Sequence, residues 1–137
     1  TLQTDTEVIT YIIDYLVRKR GLTLQEVSHV IAASFWSTIA EKGEPARGQE
    51  TLLRRMFPSL LVTGPFSIIL GYTGGIMALN DRLKLRSMVC AEKGDKAYVA
   101  SEECAIRAIE PEPDRVWAPA GGEAVVFELF DREGGRA

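Results

Sequence analysis

The chain has 137 residues, which is enough for one domain with a sizeable core and too few for two ordinary domains. Its hydrophobic fraction of 46% and charged fraction of 26% are typical of globular proteins and exclude a disordered, collagen-like or coiled-coil protein. The 16 basic and 19 acidic side chains give a net charge of -3, which argues against a nucleic-acid-binding protein.

The sequence also offers little for a membrane or a metal. No apolar run approaches the roughly 20 residues of a membrane-spanning helix, and one histidine with two cysteines leaves little for a metal site. Thr1 is not an initiator methionine and no signal peptide follows it, so we expect a segment of a longer polypeptide or a processed chain. A reduced pair of thiols is the simplest interpretation of Cys90 and Cys104, which favours a cytoplasmic location.

The first twenty residues predict an amphipathic helix. Thr4 and Glu7 form a capping-box pattern, in which the threonine hydroxyl accepts from the backbone N–H of Glu7 and the glutamate reaches back. Apolar residues then recur at helical spacing as far as Val17. Basic residues and Gly21 follow, and both suit a helix C-terminus. The pattern predicts a helix over residues 5–20.

Two further helices are predicted before the middle of the chain. A second capping-box run, Thr-Leu-Gln-Glu, begins at Thr23 and opens another apolar stripe, which predicts a helix over residues 23–39. Glycines, a proline and several charges at 41–48 predict a loop. Residues 49–57 predict a short third helix that ends before Pro58.

Short apolar segments bounded by turn residues predict strands in the second half. The predicted strands are residues 66–70, 76–79, 87–91, 96–100, 115–118 and 123–130. A turn at 71–75 joins the first two strands, and Ser101 is predicted to cap a short helix that ends near Ile109. Helices followed by antiparallel strands indicate an α+β fold. Strand 66–70 is apolar at successive positions, which predicts that both of its faces are covered, by a helical layer on one side and by a second cover that need not belong to this chain on the other.

Asp5 is the first candidate for binding chemistry. It lies in the first turn of the first predicted helix, where the helix dipole alone is sufficient reason for an anion. Its functional interpretation is a carboxylate, positioned by the cap, that binds the ammonium group of a substrate. Thr1 as an N-terminal nucleophile and His29 as a general base are weaker candidates. Thr1 does not open a strand, and His29 has no acid or cysteine nearby in the sequence.

The remaining candidates have simple structural interpretations. Cys90 lies in an apolar strand and Cys104 on the apolar side of its predicted helix, so both are predicted to be core residues rather than nucleophiles. A hairpin turn explains the glycine-rich run at 71–75. The charged segment 80–86 is either a salt-bridged loop or a loop at the mouth of an active site.

Three short motifs, taken together, resemble those of one enzyme family in the same order. Positions 4–9 read Thr-Asp-Thr-Glu-Val-Ile and resemble the motif that opens a helix in class II glutamine amidotransferases. Positions 80–86 read Asn-Asp-Arg-Leu-Lys-Leu-Arg and resemble the family's Asp-Arg-x-Gly-x-Arg-Pro loop. Positions 99–106 read Val-Ala-Ser-Glu-Glu-Cys-Ala-Ile and resemble its Ala-Ser-Glu-(Ser/Thr/Glu)-x-Ala motif. The runs at 64–69 and 115–119 are most similar to the amidotransferase part of archaeal-type glutamate synthases.

The resemblance implies that residues 1–137 are the C-terminal portion of a single class II glutamine amidotransferase domain. It implies part of a four-layer αββα N-terminal nucleophile hydrolase fold, with two antiparallel sheets between helical layers. The implied activity is hydrolysis of glutamine to glutamate and ammonia by an N-terminal cysteine, with an Asn-Gly pair for the oxyanion and an arginine for the carboxylate. All of these precede the first motif, so no catalytic residue lies in this chain. Asp5 carries over as the carboxylate that binds the α-amino group of glutamine.

The resemblance also implies partners. They are the upstream half of the domain and a glutamate synthase-type subunit or domain, with glutamine as substrate and neither nucleic acid nor a membrane involved. No cofactor is implied for this domain, whereas FMN and an iron–sulfur cluster are compatible with the synthase partner. The sequence departs from the family loop at Lys84, where glycine is usual, and at Ser87, where proline is usual, so the loop receives no catalytic role. The alternative function is a non-catalytic binding or scaffold module that keeps the fold.

Overall fold

The computed structural model describes residues 4–129. The chain divides after Val62 into two compact units, of which the first is helical and the second contains all of the described strands. None of the helices in residues 4–129 has both the length and the apolar character needed to cross a bilayer. Thr1, Phe130 and the polar tail lie outside the described residues, so the prediction for Thr1 and the end of the last predicted strand stay untested.

The first predicted helix is confirmed. Helix α1 (Asp5–Asp14) continues through a π-helical turn, Tyr15–Lys19, to a residue just before Gly21, whose φ is +70°. Thr4 has extended backbone angles, and its hydroxyl accepts a hydrogen bond from the N–H of Glu7 at 3.2 Å. The threonine half of the predicted capping box is confirmed, and it satisfies one of the free N–H groups at the helix start.

The second predicted helix is too long. Helix α2 (Leu24–Ile31) has the expected capping box at Thr23 but ends eight residues before the predicted position, and helix α3 (Trp36–Glu41) follows as a separate element. The carbonyl of Ile31 accepts from the N–H of Val62 at 2.9 Å, and the carbonyl of Ser34 accepts from the guanidinium of Arg54. These tertiary hydrogen bonds use acceptors that a continuous helix would need, so the helix breaks between Ile31 and Trp36.

Helix α4 (Ala46–Met56) begins three residues before the predicted start and ends before Pro58, which opens a 3₁₀ turn, Pro58–Leu60. The loop before α4 is therefore shorter than the predicted loop at 41–48.

The core of the helical unit is apolar and comes from all four helices and the segments between them. Its buried members include Ile13, Leu16, Val27, Val30, Ile31, Ala32, Ala33, Ile39, Leu53 and Phe57.

The second unit contains two three-stranded sheets in which every neighbouring pair is antiparallel. The strands are β1 (Ser67–Tyr72), β2 (Gly75–Asn80), β3 (Val89–Lys93), β4 (Lys96–Ala100), β5 (Arg115–Trp117) and β6 (Val125–Glu128). One sheet has the order β1-β2-β6 and the other the order β4-β3-β5. The predicted α+β class is confirmed.

The two sheets stack face to face over a shared apolar core. Ala78 and Val125 of the first sheet pack with Cys90 of the second and with Met88, which precedes β3. The rings of Trp117 and Phe127, one from each sheet, meet edge to face with centroids 6.0 Å apart. Because side chains alternate between the two faces of a strand, this core uses one face of each sheet.

Residues 4–129 do not supply the predicted cover for both faces of the first strand. Side chains along β1 alternate between exposed and half-buried, and Ile69 is 57% exposed. The strand covered on both faces is β2, where Met77, Ala78 and Leu79 are all fully buried. The physical reason is position, because β2 is the centre of its sheet and β1 lies at the edge.

The short helix α5 (Glu103–Ile109) follows β4 and packs against β3 and β4, with Ile106 buried. Its N-cap is Glu102 rather than the predicted Ser101, and no side-chain hydrogen bond closes the cap.

Position 75, at the start of β2, requires glycine, because it adopts a φ of +151° and a Cβ there would lie 2.0 Å from the carbonyl oxygen of Phe127. The close pairing of β2 with β6 thus depends on a glycine.

Candidate functional site

Asp5 occupies the first turn of α1, as expected. It is exposed, and no residue among 4–129 forms a hydrogen bond or ion pair with its carboxylate. The Thr4 cap fixes the backbone next to it. The structure therefore presents a carboxylate from an ordered helix start, which can accept hydrogen bonds from an ammonium group.

The segment 80–86 follows β2 as a tight loop built around Asp81. This residue is 2% exposed, and its two carboxylate oxygens accept from the backbone N–H groups of Leu83, Leu85 and Arg86 at 3.1–3.2 Å. Burial alone would raise the pKa of Asp81, but the backbone hydrogen bonds from Leu85, Arg86 and Leu83 outweigh it and hold the pKa below its usual value. Asp81 is therefore an ionised structural anchor, held by main-chain donors rather than by a cation.

Two further features fix the same loop. Lys84 has a φ of +54°, the left-handed conformation that favours glycine, and no other non-glycine residue among 4–129 has a positive φ. Gly121 lies so close that a Cβ there would be 2.5 Å from the carbonyl oxygen of Arg82. Asn80 is fully buried and donates from Nδ2 to the carbonyl of Arg86 at 3.4 Å, while its Oδ1 has no partner within the described residues.

A cluster that the sequence did not predict lies in the helical unit. We call Glu50, Lys42 and His29 the Glu50 cluster. Glu50 is 5% exposed on α4, and its Oε1 accepts from Lys42 Nζ and lies 3.5 Å from Nδ1 of His29. Its second oxygen, Oε2, has no partner within residues 4–129. Buried carboxylates are costly unless they are paired, so Lys42 is the main reason that this one is tolerated.

The position of His29 is as predicted, but its surroundings are not. The side chain is about one-third exposed at the edge of the unit, which agrees with a boundary residue, and the missing acid is supplied by Glu50 from another helix. Burial lowers the pKa of His29; Glu50 opposes this, Lys42 adds to it, and the net direction is downward. No hydroxyl or thiol among residues 4–129 is hydrogen-bonded to the imidazole, so the cluster is not a nucleophile–base pair in the described structure.

The sequence contains one weak signal for the Glu50 cluster. Glu50 lies three residues before Leu53 and seven before Phe57, both of which are buried, so it occupies a position on the apolar stripe of α4. A charged residue at such a position needs a partner. The identity of that partner was not predictable from spacing, because Lys42 and His29 reach it from other segments.

The two cysteines differ in environment. Cys90 is fully buried, as predicted, and burial, with smaller contributions from Glu123 and Glu92, raises the pKa of its thiol to about 11. The core prediction for Cys104 is wrong, because this thiol is exposed and lies 3.3 Å from Oε2 of Glu102. Helix α5 packs through Ile106 instead. Within residues 4–129, no group of three or more His, Cys, Asp or Glu side chains is arranged to hold a metal ion.

Comparison with known proteins identifies similarity but no function. No family model matches the chain, and no solved structure matches it. An uncharacterized protein of Archaeoglobus fulgidus is 43% identical over 133 residues. The aligned region covers 97% of this chain but only 35% of that relative, so the chain spans about a third of the length of the protein it resembles.

Proposed function

We propose that the chain is the C-terminal portion of a class II glutamine amidotransferase domain, which hydrolyses glutamine to glutamate and ammonia for a glutamate synthase-type partner. The observation that carries the proposal is the placement of the three motifs. The Thr-Asp-Thr-Glu run opens α1, the Asp-Arg loop follows β2, and the Ala-Ser-Glu run leads from β4 into α5. Each motif thus coincides with a boundary between elements rather than with an arbitrary stretch of sequence.

The loop geometry supports the proposal at the position where the sequence departs from the family pattern. Lys84 stands where the family has glycine, and it adopts a φ of +54°. A left-handed residue at that position is what the glycine of the family motif would provide. The stacked antiparallel sheets of the second unit are compatible with the two inner layers of an N-terminal nucleophile hydrolase fold.

In the proposed reaction, water cleaves the amide bond in the side chain of glutamine, between carbon and nitrogen, and the products are glutamate and ammonia. The cysteine nucleophile, its amine base and the oxyanion donors belong to the upstream half. Residues 1–137 supply the Asp5 carboxylate, which accepts hydrogen bonds from the α-ammonium group and so positions the amide at a fixed distance from the nucleophile. The charge of Asp5 also distinguishes a free amino acid from a bare amide.

The residues present do not fit an iron–sulfur cluster in this chain. Such clusters are held by sets of cysteine thiolates, whereas Cys90 is buried between sheets and Cys104 is exposed on α5. Any iron–sulfur cluster of the complete enzyme is accordingly assigned to the synthase partner, and no step of the proposed hydrolysis requires it.

The test is an Asp5→Asn substitution in the complete polypeptide that contains the chain. The change keeps the size of the side chain and removes the charge. Loss of one partner from a desolvated charged pair costs roughly 2–5 kcal/mol, so kcat/KM for glutamine should fall by about 30-fold or more. The melting temperature should change little, because the helix-dipole contribution is only about 0.3–1 kcal/mol.

Asp14→Asn is the matched control, since Asp14 is exposed at the other end of α1 and pairs only with exposed Arg18 in the described residues. It should leave kcat/KM unchanged. Equal kcat/KM for wild type and Asp5→Asn would remove Asp5 from the site. A folded wild-type polypeptide that releases no ammonia from glutamine would contradict the enzyme and favour the non-catalytic module.

A further inference from the structure

The loop after β2 exposes cations and leucines in five consecutive residues. We call residues 82–86, Arg-Leu-Lys-Leu-Arg, the cationic loop. Leu83 and Leu85 are 58% and 59% exposed, and Lys84 and Arg86 are exposed beside them. Neither Lys84 nor Arg86 forms an ion pair with any residue among 4–129. The cationic loop therefore presents positive charge and apolar surface together.

The backbone of the cationic loop is held in one conformation by Asp81. The N–H groups of Leu83, Leu85 and Arg86 all donate to the Asp81 carboxylate, so these groups face inward. Asp81 is 2% exposed and is the one carboxylate in the segment 80–86, so the accessible surface of the cationic loop carries only positive charge. A loop that is already ordered loses little conformational entropy when it binds a partner.

The sheet unit also contains an open cleft of the opposite charge, which we call the acidic cleft. Its volume is about 810 Å³, which lies within the roughly 300–1,000 Å³ of ordinary binding pockets. Four carboxylates and one ammonium group line it, from Glu92, Asp95, Asp114, Glu128 and Lys96. Lys93 pairs with Asp114 at 2.9 Å, and the cleft remains anionic when this second ammonium group is included.

The cationic loop and the acidic cleft lie at opposite ends of β2. Glu128, which lines the cleft, pairs with Gly75 at the start of this strand, whereas the loop follows Asn80 at its end. The strand has six residues and is roughly 17 Å long. The apolar part of the cleft wall comes from Val126, Phe127 and Leu129. The cationic loop of one molecule therefore cannot fill the acidic cleft of the same molecule.

We propose that the cationic loop of one molecule docks in the acidic cleft of a second copy, so that molecules associate head to tail. Lys84 and Arg86 then approach the carboxylates of the cleft, and the two leucines of the loop contact its apolar wall. A second copy is favoured as the occupant because each molecule carries both complementary surfaces. Such a contact is heterologous, since two different surfaces meet. Neither surface includes Asp5, so the association is independent of the proposed glutaminase activity.

Sedimentation equilibrium of the complete polypeptide tests the association. The contact is small, so the weight-average mass should rise between about 10 and 300 µM protein, as for weak, transient interfaces. Raising the salt from about 0.1 to 1 M shortens the Debye length from about 10 to 3 Å, and the dissociation constant should rise by at least about tenfold. A monomer at all of these concentrations overturns the proposal, as does association that salt strengthens, which indicates a purely apolar contact.

Charge reversal on each surface identifies the two halves of the contact. The loop variant is Lys84→Glu with Arg86→Glu, and the cleft variant is Asp95→Lys with Glu128→Lys. All four side chains are exposed. Each variant places like charges opposite one another, so each should be monomeric where the wild type associates. Association that persists unchanged in either variant overturns the proposal.

The matched control is Lys19→Glu with Arg55→Glu, which makes the same change of net charge at exposed positions of the helical unit. It should associate as the wild type does, and a monomeric control would show that net charge alone governs the association and overturn the proposal.

A mixture of the two variants distinguishes a head-to-tail contact from a symmetric one. The loop variant keeps an intact cleft and the cleft variant an intact loop, so an equimolar mixture should form a one-to-one dimer that grows no further. A mixture of folded variants that stays monomeric overturns the proposal. If circular dichroism shows that either variant is unfolded, the concentration and salt dependence of the wild type decides.

Discussion

Asp81 and Glu50 are two buried carboxylates, one in each unit, and they are stabilised in opposite ways. Asp81 accepts hydrogen bonds from backbone donors two to five residues ahead of it in its own loop. Glu50 depends on the side chains of Lys42 and His29, which come from other segments of the helical unit, and one of its oxygens has no partner among residues 4–129. Asp81 fixes the backbone of its own loop through these hydrogen bonds. Glu50 is stabilised only because the side chains of Lys42 and His29 extend to it from other segments.

The difference predicts how each unit responds to loss of a charge. Main-chain donors cannot move away from Asp81 without changing the fold of the loop, so their desolvation cost remains when the acceptor is lost. Lys42 and His29 are each about one-third exposed and can turn to water when Glu50 is removed. The sheet unit should therefore be more sensitive than the helical unit at its buried acid.

The largest effect is expected for Asp81→Asn. The amide retains one acceptor oxygen and turns an NH₂ group toward backbone N–H donors, so at least one donor loses its partner. Hydrogen bonds to charged groups contribute about 1.5–3 kcal/mol each, and we expect the free energy of unfolding of the sheet unit to fall by about 2–4 kcal/mol. Denaturant unfolding monitored by the fluorescence of Trp117, with Trp36 replaced, measures it.

Asp114→Asn is the control for Asp81→Asn. Asp114 also accepts from a backbone N–H, that of Gly94 at 2.9 Å, but it is exposed and its other partner is the Lys93 ammonium. Water can replace both partners, so the loss should be much smaller. Equal losses of stability for the two variants would show that the burial of Asp81 does not determine the effect, and would contradict the proposed difference between Asp81 and Glu50.

An intermediate loss of stability is expected at the Glu50 cluster, and it should differ according to which partner is removed. Lys42→Met leaves the Glu50 side chain, which is 7% exposed, without its cation. Glu50→Leu leaves the Lys42 side chain, which is 32% exposed and can reach water. Discounting for the partial exposure of Lys42, we expect Lys42→Met to cost about 1–3 kcal/mol and Glu50→Leu to cost less. The double variant should recover most of the loss.

A double-mutant cycle measured by chemical denaturation tests the asymmetry. A Glu50→Leu variant that is less stable than Lys42→Met would mean that the carboxylate stabilises the unit by itself. Its unpaired Oε2 would then need a donor, such as a bound water.

Features that depend on residues close together in the sequence were predictable, as Asp81 and its loop illustrate. The caps at Thr4 and Thr23, the glycine after α1 and the hairpin turns depend on residues a few positions apart, and these predictions are confirmed. The break after Ile31 was missed because its cause is a hydrogen bond to Val62, thirty-one residues away. Local chemistry is visible in a single sequence, whereas tertiary hydrogen bonds are not.

The exposed face of β1 and the error on Cys104 have a related cause. An apolar run predicts a buried strand, but the position of that strand in its sheet depends on pairings that only the fold reveals, and β1 lies at an edge. The predicted apolar side of α5, which included Cys104 and Ile109, is wrong, because a helix this short buries only Ile106 and leaves both of them exposed. Asp5 was placed correctly, and its role remains a proposal.

The smallest expected effect is a dependence of stability on pH, which should differ between the helical unit and the sheet unit. His29 has a folded-state pKa below the ordinary value of 6.5, chiefly because of burial. Between those two values the unfolded state binds more protons than the folded one, so the free energy of unfolding falls as pH falls. The pKa of Asp81 is lowered from 3.8, and its contribution is lost only as pH falls below that value.

A titration from pH 7.5 to 5.5 therefore isolates His29, the one histidine in the 137 residues. The helical unit should lose stability in this range, the sheet unit should not, and His29→Gln should abolish the dependence. The difference between wild type and His29→Gln, followed by amide exchange at Val30 and at Met77, is the quantity to measure, since subtraction removes every other titrating group. If the helical unit instead becomes more stable as pH falls, the attraction between Glu50 and the protonated imidazole exceeds the cost of burying that charge. His29 and Glu50 would then form an ion pair when His29 is protonated.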